Sequence, residues 1–224
     1  MPADTARTLR LAARALARHG LVHAYGHVSL RLDSETFLVS PAQPLGAVTS
    51  EEPGVVVMLD GPLPAGALPE VSIHREIYRR RSAVGGVCRF QSPAVMALSV
   101  LGQTPRALHG LGAYFAPAPP LWPGVALVRD AHTAAEVARL MGESAAVVLR
   151  GNGALTAAAT LEDATSLAFF LEDAARIEMA ALSARAAGLL AQEYSSSEAE
   201  QRAIRAGGLF ERMWQYLCLG DSEW

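Results

Sequence analysis

Apolar and polar positions alternate along the chain with two different periods, and these periods predict its helices and strands. Apolar residues three and four positions apart predict a first helix, capped by Asp4 or Thr5. Alternation at every second residue then predicts two strands, residues 28–32 and 36–40, which the turn-forming residues between them join into a hairpin. A continuous apolar run predicts a buried strand at residues 55–59.

The remainder of the chain interleaves helical and strand patterns. Helical periodicity predicts helices over residues 72–82, from Pro93 onwards, over 133–141 and 161–187, and in a tail at 195–224. Apolar runs predict strands at residues 84–90, 126–128 and 146–150. Thr160, three residues before Asp163, gives the longest helix a start like a capping box. Because strands and helices interleave around an early hairpin, we predict an α/β fold whose sheet is not purely parallel.

The composition is that of a globular chain and excludes several classes of function. The 224 residues contain no apolar run long enough for a membrane span and no signal peptide pattern. The net charge of −3 gives no reason to expect nucleic acid or a membrane as a partner. The two cysteines, Cys88 and Cys218, form no disulfide framework and favour a reducing cytoplasm. All 19 basic residues are arginines, and the absence of lysine excludes Schiff-base catalysis, which needs a side-chain amine.

Four segments rich in polar and charged residues follow one another in a defined order. They are residues 26–31 (GHVSLR); 37–41 (FLVSP) with 48–61; 69–78 (PEVSIHREIY) with 87–93 (VCRFQSP); and 149–153 (LRGNG) with 160–164 (TLEDA). In this order and spacing they resemble the class II aldolase/adducin family over roughly residues 8–185. The resemblance implies a three-layer α/β/α domain with a mostly antiparallel (mixed) central sheet. It also implies one domain over residues 1–224, with a core at about 8–187 and a helical tail.

The resemblance implies a chemistry and an assembly as well. Members of the family hold zinc or another divalent ion with three histidines, and the ion stabilises an enediolate. A glutamate four residues before another histidine serves in proton transfer, and Glu70, four residues before His74, matches it. The family is commonly tetrameric, with the site between subunits. The implied function is a carbon–carbon lyase, an aldehyde-lyase or a decarboxylase, acting on a small molecule.

The three metal-binding histidines of the family are replaced in this chain. Their positions fall on Arg89, Gln91 and Asn152. Arginine is permanently cationic and repels a divalent ion, whereas glutamine and asparagine are weak neutral ligands. We therefore expect a degenerate metal site with no metal and no other cofactor. A guanidinium there could clamp a carboxylate or enolate, or it could simply neutralise Glu70 in a decayed site, and the sequence leaves both alternatives open.

The phosphate-binding positions of the family are also changed. Leu68-Pro69 stand where sugar-phosphate aldolases have serines, and residues 40–43 read SPAQ where the family has threonine, proline, serine and glycine. These changes argue for a non-phosphorylated substrate. The Gly26-His27 pair is similar to the branch of the family that contains decarboxylases, so we expect a small oxygenated, carboxylated substrate.

Six positions are candidate substrate contacts beside the catalytic candidates Glu70 and Arg89. These six are Gln91, Asn152, His27, Ser29, Ser40 and His109. The two amides could donate hydrogen bonds to a ligand or could satisfy nearby backbone. His27 follows a glycine and could face the pocket, and His109 lies in a loop-rich stretch at residues 103–124.

Other chemically capable residues favour structural roles. His74 shares a helical face with Ile77 and Tyr78, which favours core packing or a hydrogen bond. Cys88 alternates away from Arg89 along a strand and is predicted to be buried on the opposite face of the sheet. The aromatic residues of the tail are predicted to make an intersubunit or lid contact; they are Phe210, Trp214, Tyr216 and Trp224.

Two functions from different classes remain. The first is a diverged class II aldolase-like lyase in which Arg89 replaces the metal, Glu70 transfers a proton, and Gln91 and Asn152 orient the substrate. The second is a catalytically inactive binding or scaffold protein, a pseudoenzyme, as in the adducin branch of the family. Under both we expect a cytoplasmic homo-oligomer, a tetramer.

Overall fold

The computed structural model describes residues 3–224, which form seven helices and seven strands. The helices are α1 Ala3–Arg18, α2 Ser72–Arg80, α3 Pro93–Val100, α4 Ala131–Met141, α5 Leu161–Ala186, α6 Ser196–Arg202 and α7 Leu209–Cys218. The strands are β1 His27–Arg31, β2 Thr36–Val39, β3 Val55–Met58, β4 Gly86–Phe90, β5 Leu121–Trp122, β6 Ala146–Leu149 and β7 Ala154–Ala158. Short 3-10 helices occupy Leu45–Ala47, Pro69–Val71 and Gly112–Phe115. In this part of the chain no helix is long and apolar enough to cross a bilayer.

The strands form one sheet in the order β3-β2-β1-β4-β7-β6-β5. Neighbouring strands are antiparallel except β5 and β6, which are parallel. The hairpin predicted from the alternating pattern is β1–β2, with Ser29 opposite Val39. The structure confirms the predicted mixed, mostly antiparallel sheet.

Helices cover both faces of the sheet and enclose two apolar cores. On one face, α1, α3, α5 and α7 pack over strand residues that include Cys88 and Phe90. On the other face, α2 and α4 pack over Val87 and Leu155. Side chains of a strand alternate between its faces, so the neighbours Val87 and Cys88 enter different cores. The predicted three-layer α/β/α architecture is confirmed, and Cys88 lies on the face predicted for it.

Two strands differ from the sequence-based expectation. Residues 126–128 form no strand, because Leu127 is exposed and only Val128 packs into the core, so the apolar run belongs to a loop anchored at one side chain. The strand of this region is β5, which pairs with β6. Strand β7 was not predicted, since its alanine-rich sequence has a low strand propensity; pairing with β4 on one side and β6 on the other stabilises it.

The C-terminal tail folds back onto α1 and α5. Phe210 of α7 packs against Tyr114 and Phe170 in the core, which corrects the expectation that it makes an intersubunit or lid contact. Beyond α7, the carboxylates of Asp221 and Glu223 form ion pairs with three arginines of α1, namely Arg10, Arg14 and Arg18. These pairs join the two ends of the described chain.

Candidate active site

Strands β1 and β4 turn three polar side chains toward helix α2. In this antiparallel pair His27 lies directly opposite Arg89, and Ser29 lies opposite Val87. Val87 belongs to the core under α2 and α4, and alternate residues of paired strands share a face, so His27, Ser29 and Arg89 point into that layer. The intervening Val28 packs into the other core. The alternating sequence of β1 therefore selects which polar groups meet.

Arg89 is a buried cation without a carboxylate partner. Its residue surface is 8% exposed, and its Nη1 donates a hydrogen bond to the carbonyl of Phe90 at 2.7 Å. Within residues 3–224 no carboxylate lies at ion-pair distance from it. Burial lowers the pKa of Arg89 to about 10, and the negative charge of Glu70 partly opposes that effect. The side chain therefore remains cationic at neutral pH and keeps unused N–H donors.

Glu70 pairs with a different arginine from the one expected. Its Oε1 accepts a hydrogen bond from Arg129 Nε at 2.8 Å. The sequence-based hypothesis that Arg89 directly neutralises Glu70 is therefore wrong: Glu70 is near enough to influence Arg89 through space, but its bonded partner comes from the loop before α4. Sequence reasoning missed Arg129 because 59 positions separate the two residues.

Gln91 and Asn152 form a hydrogen bond with each other. Gln91 Nε2 donates to Asn152 Oδ1 at 2.8 Å. Gln91 follows β4, and Asn152 lies in the turn between β6 and β7. The next residue, Gly153, has a φ of +81° and passes so close to β4 that an added Cβ would lie 2.0 Å from the Phe90 carbonyl oxygen. Only glycine fits there, and this close approach brings the two amides together.

A chain of hydrogen-bonded side chains runs from His27 into the interior. His27 Nδ1 lies 2.8 Å from His74 Nε2, and His74 Nδ1 lies 2.6 Å from Ser29 Oγ. Ser29 Oγ lies 2.9 Å from the hydroxyl oxygen of Tyr78. His74 and Tyr78 are four residues apart on α2, so one helical face supplies both. The hydrogen bond expected for His74 is present, and the participation of Tyr78 was not predicted.

Both imidazoles in this chain are held neutral. Burial lowers the pKa of His74 to about 3, and the charge of Arg89 lowers it further. Burial also lowers the pKa of His27 well below its ordinary value, and the nearby His74 and Arg89 act in the same direction. A neutral imidazole carries one hydrogen and can donate one hydrogen bond and accept another.

The remaining candidates lie apart from this cluster. The Ser40 hydroxyl accepts a hydrogen bond from the backbone N–H of Val28 at 3.2 Å, beside the β1–β2 pairing. His109 Nδ1 accepts from the Gly112 N–H at 2.9 Å, and its pKa is lowered by burial while Asp173 of α5 opposes this effect. The structure therefore groups His27, Ser29 and Arg89 with α2, groups Gln91 with Asn152, and leaves Ser40 and His109 outside both groups.

The side chains at the family's metal positions do not suit a divalent ion. The guanidinium of Arg89 is itself a buried cation, and the amides of Gln91 and Asn152 already bond each other. In the described part of the chain, no three His, Cys, Asp or Glu side chains are placed to hold a metal ion. Neutral amides beside a fixed positive charge are a poor donor set for zinc, which binds N, S or carboxylate ligands.

The fold and the ordered motifs together define a class of protein. The chain belongs to the class II aldolase/adducin family, because the family model for the class II aldolase and adducin N-terminal domain matches residues 7–179. Among characterised relatives, a 3,4-dihydroxyphthalate decarboxylase of Arthrobacter keyseri is 31% identical over 201 residues, covering 81% of this chain and 80% of that protein. A protein of the same name from Terrabacter sp. (strain DBF63) is 31% identical over 187 residues, covering 75% and 77%.

Solved structures with the same fold are similar over most of the chain. An aldolase II superfamily protein from Pseudomonas syringae has a TM-score of 0.81 and 23% identity, covering 97% of this chain and 92% of that one. L-fuculose 1-phosphate aldolase from Glaciozyma antarctica PI12 has a TM-score of 0.78 and 21% identity, covering 96% and 88%. At these identities the similarity shows the fold. The family and its decarboxylase-named members support an activity of the lyase type.

Proposed function

We propose that this protein is a decarboxylase-type lyase that acts on a small oxygenated aromatic carboxylate and needs no divalent metal. The observation that carries the proposal is the guanidinium of Arg89, which is buried, cationic and unpaired with any carboxylate in residues 3–224. It stands where the family resemblance places the metal. A buried cation with unused donors binds an anion strongly and stabilises negative charge that develops during a reaction.

The substrate class is supported by the relatives and by the changed phosphate positions. Two relatives at 31% identity bear the name 3,4-dihydroxyphthalate decarboxylase, a substrate with carboxylates and hydroxyls and no phosphate. Leu68-Pro69 and the sequence SPAQ at residues 40–43 remove hydroxyls where the resemblance implies phosphate contacts. We therefore propose a dihydroxylated aromatic acid rather than a sugar phosphate.

The proposed reaction balances with a single proton shuttle. Glu70 accepts the proton of a hydroxyl adjacent to the carboxylate and returns it to the ring carbon that bears the carboxylate. The bond between that carbon and the carboxylate then breaks, carbon dioxide leaves, and the electron pair moves through the ring to the adjacent oxygen. Arg89 donates hydrogen bonds to this oxyanion as its charge develops. Water finally reprotonates the oxygen, so the net change is one carboxylate replaced by one hydrogen.

The neighbouring side chains have supporting roles in this proposal. Arg129 holds the carboxylate of Glu70 in place through the 2.8 Å hydrogen bond. In the pair formed by Gln91 and Asn152, one amide oxygen and one amide nitrogen remain available to orient substrate hydroxyls. We also propose that the protein acts as a homo-oligomer, as the family resemblance implies.

A second candidate function is ligand binding without turnover. It is favoured by the observation that Glu70 is engaged by Arg129 and that the two amides are engaged by each other, so several polar groups of the site already have partners. Under this alternative, Arg89 still binds a carboxylate, but no carbon dioxide is released.

Carbon dioxide release from 3,4-dihydroxyphthalate tests the proposal. Protein dialysed against a strong chelator is expected to release carbon dioxide at the same rate as untreated protein. Arg89→Ala is expected to lose at least a hundredfold in kcat/KM, the size of effect that follows removal of a charge-stabilising donor. The matched control is Arg185→Ala, which removes an exposed arginine of α5.

The outcomes separate the two candidate functions. Activity that disappears on chelation and returns with added zinc or manganese contradicts the metal-independent reaction. Binding of the substrate that depends on Arg89 but releases no carbon dioxide supports the binding protein instead. Full activity of Arg89→Ala rejects the role given to the guanidinium.

A further inference from the structure

The side chains that lie behind His27 form a single file of four polar groups. The order is His27, His74, Ser29 and Tyr78, with separations of 2.8, 2.6 and 2.9 Å between successive atoms. Each of the two inner groups, His74 and Ser29, is fully buried, so water does not compete for their hydrogen bonds. The direction in which hydrogens are donated along the file is therefore fixed by its inner end.

The inner end is the hydroxyl of Tyr78, and it determines that direction. Tyr78 is 1% exposed, and Ser29 Oγ is the partner of its hydroxyl within residues 3–224. If Tyr78 accepted a hydrogen from Ser29, its own O–H would be buried without an acceptor. Buried donors in folded proteins are almost always paired. Tyr78 therefore donates to Ser29.

The remaining donations follow one after another. Ser29, whose oxygen accepts from Tyr78, donates its hydrogen to His74 Nδ1. A neutral His74 that accepts at Nδ1 carries its hydrogen on Nε2 and donates it to His27 Nδ1. His27 in turn accepts at Nδ1, so its hydrogen resides on Nε2, at the outer end of the file. No acceptor for this Nε2–H is present among the described residues.

The outer end of the file lies beside Arg89. His27 and Arg89 are directly opposite each other on β1 and β4 and face the same layer. We propose that Tyr78, Ser29 and His74 fix His27 as its Nε2–H tautomer, so that His27 and Arg89 together form a donor pair for one oxyanion of the substrate, a carboxylate or phenolate oxygen. The binding half of this inference rests on the proposed function; the tautomer half does not.

A fixed neutral imidazole is well suited to this position. A protonated His27 would repel the adjacent guanidinium and would compete with it for the anion. A neutral His27 with the opposite tautomer would present a lone pair to the oxyanion and repel it. The file therefore supplies a second donor without adding a second charge. Tyr78, Ser29 and His74 are positioning residues, and His27 is the group that contacts the substrate.

Nitrogen NMR of protein labelled with ¹⁵N-histidine tests the tautomer directly. The expected result for His27 is a protonated, pyrrole-type Nε2 and an unprotonated, pyridine-type Nδ1, with the signals assigned by their loss in His27→Gln. A His27 with its hydrogen on Nδ1 overturns the inference. Because this measurement uses the unaltered protein and no ligand, it is independent of the proposed reaction.

Phthalate binding by Tyr78→Phe tests the consequence for the oxyanion. This variant removes the first donor of the file and keeps the ring, so His27 is expected to populate both tautomers and phthalate to bind about 5- to 20-fold more weakly, the loss typical of one hydrogen bond to a charged group. The matched control is Tyr114→Phe, whose hydroxyl bonds the Ile204 carbonyl in the other layer and whose loss should leave binding unchanged.

The two measurements distinguish failure of this inference from failure of the proposed function. Normal phthalate binding by Tyr78→Phe overturns the role of the file, even if the protein is a decarboxylase. An Nε2–H His27 in a protein that does not bind phthalate confirms the tautomer, rejects the oxyanion role and contradicts the proposed substrate class. Chemical shifts that distinguish both tautomers in Tyr78→Phe, together with weakened binding, support both halves.

Discussion

At the scale of single residues, Arg89 combines a cost to the fold with a use in the site. Burying a charged group without a partner is unfavourable, and the lowered pKa of Arg89 reflects that burial. A residue whose burial destabilises the fold is typical of functional sites, where stability is exchanged for binding. The physical cost and the proposed function therefore share one origin.

Replacement of this cation is expected to stabilise the protein while it removes activity. Arg89→Met, which keeps much of the side-chain volume, should raise the free energy of unfolding by about 1–3 kcal/mol at pH 7. The folded-state pKa of about 10 lies below the ordinary value of 12.5, so the unfolded chain binds more protons between these values and the wild-type protein regains stability as pH rises through them. Urea unfolding at pH 7 measures the difference, and a clear loss of stability in Arg89→Met contradicts the absence of a compensating partner.

Glu70 is expected to affect turnover more than binding. In Glu70→Gln the side chain keeps its size but cannot accept the proton, so kcat should fall by about 10²–10⁴-fold while the dissociation constant of phthalate changes little. Steady-state kinetics and calorimetry measure the two quantities. Glu200→Gln, an exposed substitution on α6, is the matched control. A Glu70→Gln variant with unaltered kcat rules out the proton shuttle.

At the scale of elements, the C-terminal tail is attached to α1 by charge. Hydrogen bonds from Arg10 and Arg14 lower the pKa of Glu223 to about 2. Burial raises the pKa of Asp221, but hydrogen bonds from Arg14 and Arg18 outweigh burial and leave this pKa below its ordinary value. Both carboxylates are thus more acidic in the folded protein than in the unfolded chain.

The attachment of the tail is expected to weaken in acid. Groups with a depressed folded-state pKa contribute stability that is complete above their unfolded values, near pH 4–5, and is lost as pH falls toward 2. Glu223→Gln should therefore destabilise the protein by about 1 kcal/mol at pH 7 and flatten the fall in stability below pH 5. Urea midpoints measured from pH 7 to pH 3 check this, and parallel curves for the two proteins would refute it.

The elements also show which parts of the fold the sequence predicts. The alternation of β1 and β2 and the period of α2 and α5 identify those elements, because one face of each is buried and the other is polar. Strand β7 and the loop at residues 126–128 were misassigned, since alanine has little strand preference of its own and a short apolar run fits several structures. Their structures depend on neighbouring strands that local sequence does not specify.

The candidate site was only partly predictable for the same reason. Motif order brings attention to Arg89, Gln91 and Asn152, and helical spacing places His74 and Tyr78 on one face. The bond between Glu70 and Arg129 joins residues 59 positions apart, and the file behind His27 joins a strand to a helix more than 40 positions away. Such pairings follow from the packing of layers and from strand register.

At the scale of the whole molecule, an exposed apolar edge agrees with the proposed oligomer. Val56 and Met58 of the edge strand β3 are 49% and 48% exposed. Exposed apolar edge strands favour association with other chains. We expect light scattering after gel filtration to give about four times the chain mass of 23.7 kDa. A monomer at micromolar concentration contradicts the proposed assembly.

The central claim is that a side-chain cation takes the place of the metal ion in this member of the family. A crystal structure of the protein grown with phthalate, with diffraction data collected at wavelengths sensitive to transition metals, tests it most directly. The account predicts a carboxylate oxygen hydrogen-bonded to the guanidinium of Arg89 and to Nε2 of His27, with no anomalous peak between Gln91 and Asn152. An ion bound at those amides, or Arg89 turned away from the ligand, would contradict it.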